Sequence, residues 1–173
     1  FLANFISYKG HNFLIEAVKK LDKQILQNLH FLLVGKKNKL TFQISNKIKN
    51  YELADYFTIS DQTINVSHYL QKCHIGISVS QEEGMSNSIL EYMNYKMPVI
   101  GTSVGGTSEL IKNNFNGLLI HKDSEKDLID AIKFYINNKN LIKIHGANSK
   151  KIVNKNFNLD QCVESYSNLY NSL

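Results

Sequence analysis

Arginine and tryptophan are absent from these 173 residues, and the chain has a single proline and two cysteines. Each scarcity excludes something. Without arginine, every fixed positive charge is a lysine, a compact point charge that lacks the planar fork of a guanidinium. One proline and 9 glycines rule out a collagen-like or low-complexity chain. Cys73 and Cys162 match no metal or disulfide spacing, so the chain is no disulfide scaffold, and a reducing cytoplasm suits both thiols. No apolar run approaches the roughly 20 residues that a membrane-spanning helix needs. His68 and His74 lie six apart and no His-x-x-His occurs, which leaves no histidine pattern for a metal. Nucleophile-elbow and Walker-type phosphate loops are missing too.

What is present suffices for an ordinary folded domain. Apolar residues make up 43% and aromatics 10%, enough to build a core and to exclude disorder. The net charge of +5 comes from lysines scattered along the chain. That pattern fits a solvated surface or attraction to an anionic ligand or membrane face. Nucleic acid is not expected, because no basic stripe interleaved with aromatics occurs. Phe1 already lies in a strand-like run, FLANFI. The expectation is one domain over residues 1–173, slightly truncated at its start and cut from a longer protein. Asn65-Val66-Ser67 is a glycosylation sequon that would matter only in a secreted protein.

The stretch from Cys73 to Leu110 organises the rest. A β-prone run, His74 to Val79, leads into a turn holding Glu82, Glu83 and Gly84. An amphipathic helix follows from about Asn87 to Tyr95, with Ile89, Leu90 and Met93 on one face. Lys96-Met97-Pro98 stops it, Val99-Ile100 begins another buried strand, and Gly105-Gly106 precedes a further helix. Strand–turn–helix repeated in this way predicts a parallel sheet with polar groups gathered at the strand C-terminal ends, where such sheets bind ligands. Gly84, Met85, Ser86 and Asn87 stand at a helix start, whose free N–H groups favour an anion. Glu83 and Glu91 can each accept hydrogen bonds from paired hydroxyls, as sugars present them. A diphosphate between two polyhydroxylated rings satisfies all of these groups, which describes a nucleotide diphosphate sugar.

The same residues resemble a known family. Glu83-x7-Glu91, written EGMSNSILE and followed by YMNYKMPVIGTSVGGTSELI, is similar to the donor-site signature of glycosyltransferase family 4, the glycosyl transferases group 1 with a GT-B fold. The resemblance implies a Rossmann-like doubly wound α/β domain of about six parallel strands with helices on both faces, the C-terminal half of such an enzyme. It implies that Glu83 meets the donor hexose, Glu91 the ribose, and Gly84 to Asn87 the diphosphate or sugar. Lys9-Gly10 resembles the element whose lysine neutralises the phosphates, which makes Lys9 and Glu83 the catalytic candidates. The family usually has an arginine where this chain has Asn4, a hydrogen-bonding residue without charge.

Further implications concern the rest of the chain. Ser60, after a third strand at Asp55 to Ile59, is a candidate for reading the base. The parent would be a retaining hexosyl or N-acetylhexosaminyl transferase, without a metal cofactor, with a UDP-sugar favoured over a GDP-sugar as donor. Its acceptor, a glycan or lipid-linked glycan, would meet a missing N-terminal domain, so this piece alone would be inactive. The implied place is the cytoplasm, with peripheral association at the inner face of the membrane left open. A nucleotide-sugar epimerase on the same fold and a non-catalytic module remain alternatives. In order, the other expected elements are a strand at Phe1 to Ile6, a helix at Asn12 to Leu21, a strand at His30 to Val34, and helices at Lys39 to Tyr51 and Asn65 to Lys72. A short strand at Gly117 to Ile120 precedes helices at Ser124 to Asn137, Leu141 to Asn154 and Asp160 to Asn171. His11 is expected as a first-turn surface residue.

Overall fold

The computed structural model describes residues 1–61, 66–157 and 159–172. Asn65, Asn158 and the side chain of Cys162, on which parts of the reading above fall, lie outside the described residues. Strands β1 (Phe31–Val34) and β2 (Phe57–Ser60) pair in parallel, and β3 (Gly76–Ser78), β4 (Val99–Thr102) and β5 (Gly117–Ile120) form a parallel set in that order. Neighbouring strand residues enter different cores. Leu33 and Ile100 pack into one apolar cluster, whereas Val34 and Val99 pack into the other. A sheet buried on both faces reads as unbroken apolar runs, and FLLV and VIGT do.

Helices α1 (His11–Lys19) and α7 (Glu125–Asn137) contribute Leu14, Val18, Leu128 and Tyr135 to the first cluster. On the other face, α5 (Asn87–Asn94) and α8 (Lys139–Asn156) contribute Ile89, Met93 and Ile152. Between them run α2 (Lys23–Leu26), α3 (Lys39–Asn50), α4 (Val66–Leu70) and α6 (Thr107–Leu110), and α9 (Leu159–Asn171) closes the chain. The caps follow local chemistry. Asn38 accepts from the Leu40 N–H at 2.9 Å while Thr41 Oγ accepts from the Asn38 N–H at 2.9 Å, a reciprocal cap that starts α3. Ser124 accepts from the Asp127 N–H at 3.2 Å and starts α7.

Five strands are formed among the described residues, where about six were expected. The expected strand at Phe1 to Ile6 reduces to a parallel bridge, Leu2 to Val34, with Val34 N–H donating to Phe1 O and Ala3 N–H to Val34 O, both at 2.9 Å. Beyond it the backbone folds on itself, Ile6 N–H donating to Asn4 O at 2.8 Å, and pairing ends. The segment still ties the two strand sets together. Tyr92, 2% exposed, accepts from the Leu2 N–H and donates to the carbonyl of Ile77 in β3 at 3.3 Å. The third expected strand starts later, since residues 54–56 form a tight 3-10 turn. Along α9, Val163, Tyr166, Leu169 and Tyr170 form an uncovered apolar side.

His11 corrects the sequence reading. It is 1% exposed, stacked on Phe5 with ring centroids 4.5 Å apart and edge-on to Phe1 at 4.7 Å. A position in the first helical turn gave no hint that the turn would be pressed onto the N-terminal segment. Burial pushes its pKa down to about 4. The folded state therefore holds His11 neutral while the unfolded chain protonates near pH 6.5, so stability is full above that value and falls as pH drops towards 4. Between pH 7 and 4 this contributes a loss of about 3 kcal/mol. Urea denaturation should show His11→Phe gaining roughly that much on the parent chain over this range; a constant difference would contradict the assignment.

Candidate functional site

Lys9 ends a 3-10 turn, Ser7–Lys9, at the mouth of the sheet. Gly10 follows at φ 86°, a left-handed conformation, and a side chain there would lie 2.1 Å from Val79 O. Only glycine lets the turn approach the end of β3 so closely. The Gln81 N–H donates to Tyr8 O at 2.8 Å, which fastens this turn to the loop after β3. Across that contact Lys9 Nζ donates to both oxygens of Glu83, at 2.7 and 3.0 Å. The two side chains are only 20% and 11% exposed.

The loop bearing Glu83 is held from its other side. Gly106 N–H donates to Gly84 O at 3.0 Å. Gly105 sits at φ 48°, and a Cβ there would fall 1.6 Å from Glu83 O. The Gly-Gly turn thus supports the Glu83 loop. Next comes the start of α5, whose cap residue Ser86 is 1% exposed and turns its hydroxyl to Ser88 Oγ at 3.0 Å. No side chain caps the first N–H groups of α5, so they stay open to an anion beside Gly84 and the exposed Met85 and Asn87.

Asn87 and Glu91 are both exposed and four apart on one face of α5, opposite the buried Ile89 and Met93. Although Glu91 is exposed, the surrounding surface desolvates its carboxyl and raises its pKa above the ordinary carboxylate value. Ser60 ends β2, its carbonyl accepting from the Gly35 N–H at 3.2 Å and its hydroxyl bonded to the Tyr69 hydroxyl. Its side chain is therefore already engaged. Asn4 Oδ1 accepts from the Lys36 N–H at 3.1 Å, so this residue braces the turn after β1. Among the described residues, no group of three His, Cys, Asp or Glu is placed to hold a metal. No helix among them is long and apolar enough to cross a membrane.

Lys9, Glu83 and the α5 start are thus brought together at one rim, with Glu91 one helical turn beyond. The dependence of the Glu83 loop on Gly105 escaped sequence reasoning. Its one signal was the Gly-Gly pair, legible as a tight turn but not as a support. An apolar recess of about 470 Å³, walled by Leu29, Phe31, Ile75 and Ile136, includes the starts of β1 and the β3 segment, away from these residues.

The arrangement can hold an anion at a helix start beside a lysine, and hydroxyls at two carboxylates. The sequence profile of the family described as glycosyl transferases group 1 matches residues 1–152. The chain belongs to that family. It is 32% identical to an uncharacterized glycosyltransferase of Methanocaldococcus jannaschii over 174 aligned positions, covering 100% of this chain and 47% of that protein. A solved glycosyltransferase from Rickettsia africae superimposes with TM-score 0.90 at 25% identity, covering 99% of this chain and 46% of the other. The Anabaena protein HepE in complex with UDP-glucose superimposes with TM-score 0.89 at 19% identity, covering 99% and 48%. The α/β fold is shared, and the group 1 chain spans about half the length of each of these three proteins.

Two outcomes test this geometry. Gly105→Ala should destabilise the chain by at least about 2 kcal/mol, since both backbone strain and overlap oppose it; an unchanged thermal midpoint would contradict the support role. A double-mutant cycle with Lys9→Met and Glu83→Gln, read by urea denaturation, should give a coupling of about 1–2 kcal/mol, above that of exposed pairs. A coupling near zero would mean that the two side chains do not hold each other.

Proposed function

We propose that this chain is the C-terminal, donor-binding domain of a retaining GT-B glycosyltransferase of family 4, with a UDP-sugar as donor. The observation that carries the reading is the Lys9–Glu83 pair, at 2.7 Å, set beside the uncapped start of α5. In the donor complex the diphosphate takes the place of Glu83 as the partner of Lys9 and lies against the N–H groups of Gly84 to Asn87. Glu83, released from the lysine, accepts hydroxyls of the hexose. Glu91 accepts the ribose hydroxyls, and the end of β2 at Ser60 lies towards the base.

Charge is the centre of the mechanism. As the glycosidic bond breaks, negative charge grows on the leaving diphosphate, and Lys9 with the α5 dipole stabilises it more than the ground state. Groups fixed in advance supply this without reorganisation. Lysine serves here as a mobile point charge. The pairing with Glu83 holds it at the rim between turnovers. Asn4 leaves Lys9 without a charged neighbour on its own segment, which places the phosphate load on Lys9 and the backbone.

The family match to residues 1–152, the chain's share of its relatives and the UDP-glucose complex of HepE all support this reading. In the whole protein a hexosyl or N-acetylhexosaminyl group would pass to a glycan or lipid-linked acceptor held by an N-terminal domain. Action would be in the cytoplasm, at the inner membrane face for a lipid-linked acceptor. Calorimetric titration of the chain with UDP and UDP-glucose should give a Kd of about 1 mM or tighter. Lys9→Ala should weaken UDP binding about tenfold or more, through a lost charge-assisted contact of about 1.5–3 kcal/mol. No heat from any nucleotide diphosphate at millimolar concentration would overturn the reading.

A further inference from the structure

Behind the Lys9 turn lies a second recess, of about 250 Å³, at the same C-terminal rim of the sheet. Ser7, Asn12, Phe13, Gln81, Lys122 and Asp123 line it, over a floor that includes Val79 and Thr102. Gly10 and Gln81, neighbours in sequence of Lys9 and close to Glu83, belong to its wall. The Lys9–Glu83 pair has partners of its own, and none of its atoms is needed to form this recess.

The wall chemistry selects a ligand class. Lys122 and Asp123 bring one positive and one negative charge side by side, so neither an anion nor a cation gains from the recess as a whole. The amides of Asn12 and Gln81, the Ser7 hydroxyl and the Asp123 carboxylate offer both donors and acceptors. Asn12 Oδ1 takes a long bond from Lys47 Nζ at 3.4 Å, and its amide N–H groups remain. No hydrogen bond or ion pair with a described residue occupies the Lys122 ammonium, the Asp123 carboxylate or the Gln81 side chain. Phe13, half-buried, adds an apolar wall. Mixed donors and acceptors around an aromatic wall suit a molecule with hydroxyls along its edge and C–H groups on its face. The volume is below the roughly 300–1,000 Å³ of drug-sized sites, which is the scale of one ring rather than a nucleotide sugar. Asp123 holds φ 60°, a conformation that aspartate adopts more readily than most residues.

We propose that this recess is a second carbohydrate subsite, taking one neutral pyranose ring beside the donor site. Such a ring would belong to a glycan that meets this domain on the α1 and α7 side of the rim. The inference goes beyond the donor reading and can stand or fall separately from it.

Backbone amide spectra of the 173-residue chain, titrated with methyl glucoside and methyl N-acetylglucosaminide with and without saturating UDP, test it. One of the glycosides should shift the amides of Gly10, Gln81, Lys122 and Asp123 with a Kd of about 1–10 mM, whether or not UDP is bound. Asp123→Gly, which keeps the left-handed backbone, and Gln81→Ala should each weaken that binding about tenfold and leave UDP affinity unchanged. If UDP fails to bind while the glycoside does, the donor reading falls and the subsite stands. If UDP-glucose alone shifts the recess amides and excludes the glycoside, the recess is the donor's own hexose pocket and the proposal is overturned. It is equally overturned if neither glycoside moves the four amides, or if the shifts fall only on Glu83 to Asn87.

Discussion

A single ion pair joins the two halves of the site. Lys9 and Glu83 are 74 residues apart and meet at 2.7 Å in a setting only 20% and 11% exposed. Such a pair has lost much of its water, so its geometry must repay a desolvation cost that an exposed pair never meets. The surrounding backbone makes this possible. The Tyr8 carbonyl holds the loop after β3, Gly10 allows the closest approach to Val79, and Gly105 and Gly106 brace the loop from the far side. Together these contacts bring the lysine and the carboxylate to pairing distance.

That constraint explains why the N-terminal segment matters although it forms almost no strand. Its bridge to Val34, and the Leu2 and Ile77 bonds of Tyr92, set the height of the Lys9 turn relative to β3. The stacked rings of Phe5 and His11 close the other side of the same turn. Apolar clusters on both sheet faces then fix the strands, so that the polar rim rests on a rigid base. The candidate site sits on short loops, and the apolar layers lie below them.

Much of this was legible from residue order. Alternating apolar runs and amphipathic helices gave a parallel α/β architecture, and Glu83-x7-Glu91 with its Gly-Gly turn pointed to glycosyl transferases group 1. Ile89 with Met93 as the inner face of α5 followed from local chemistry alone. Long-range contacts were not legible. Nothing in the sequence near His11 says that Phe5 will cover it, and nothing near Glu83 names Lys9 as its partner. The strand at residues 1–6 was overestimated because apolar content was visible while the backbone reversal at Asn4 was not. Ser60 is the last residue of β2 rather than the one after the strand, and its hydroxyl bond to Tyr69 in the next helix was not legible.

The same logic separates the two recesses at the rim and the base of the sheet. The larger is apolar and remote from the charged residues, while the smaller is polar and shares its wall with the Lys9 turn. The most direct measurement of the central claim is a crystal structure of the chain bound to UDP-glucose. The account predicts Lys9 Nζ on a diphosphate oxygen, the diphosphate at the start of α5, and Glu83 turned to the hexose hydroxyls. A nucleotide bound away from α5, with the Lys9–Glu83 pair still closed, would contradict it.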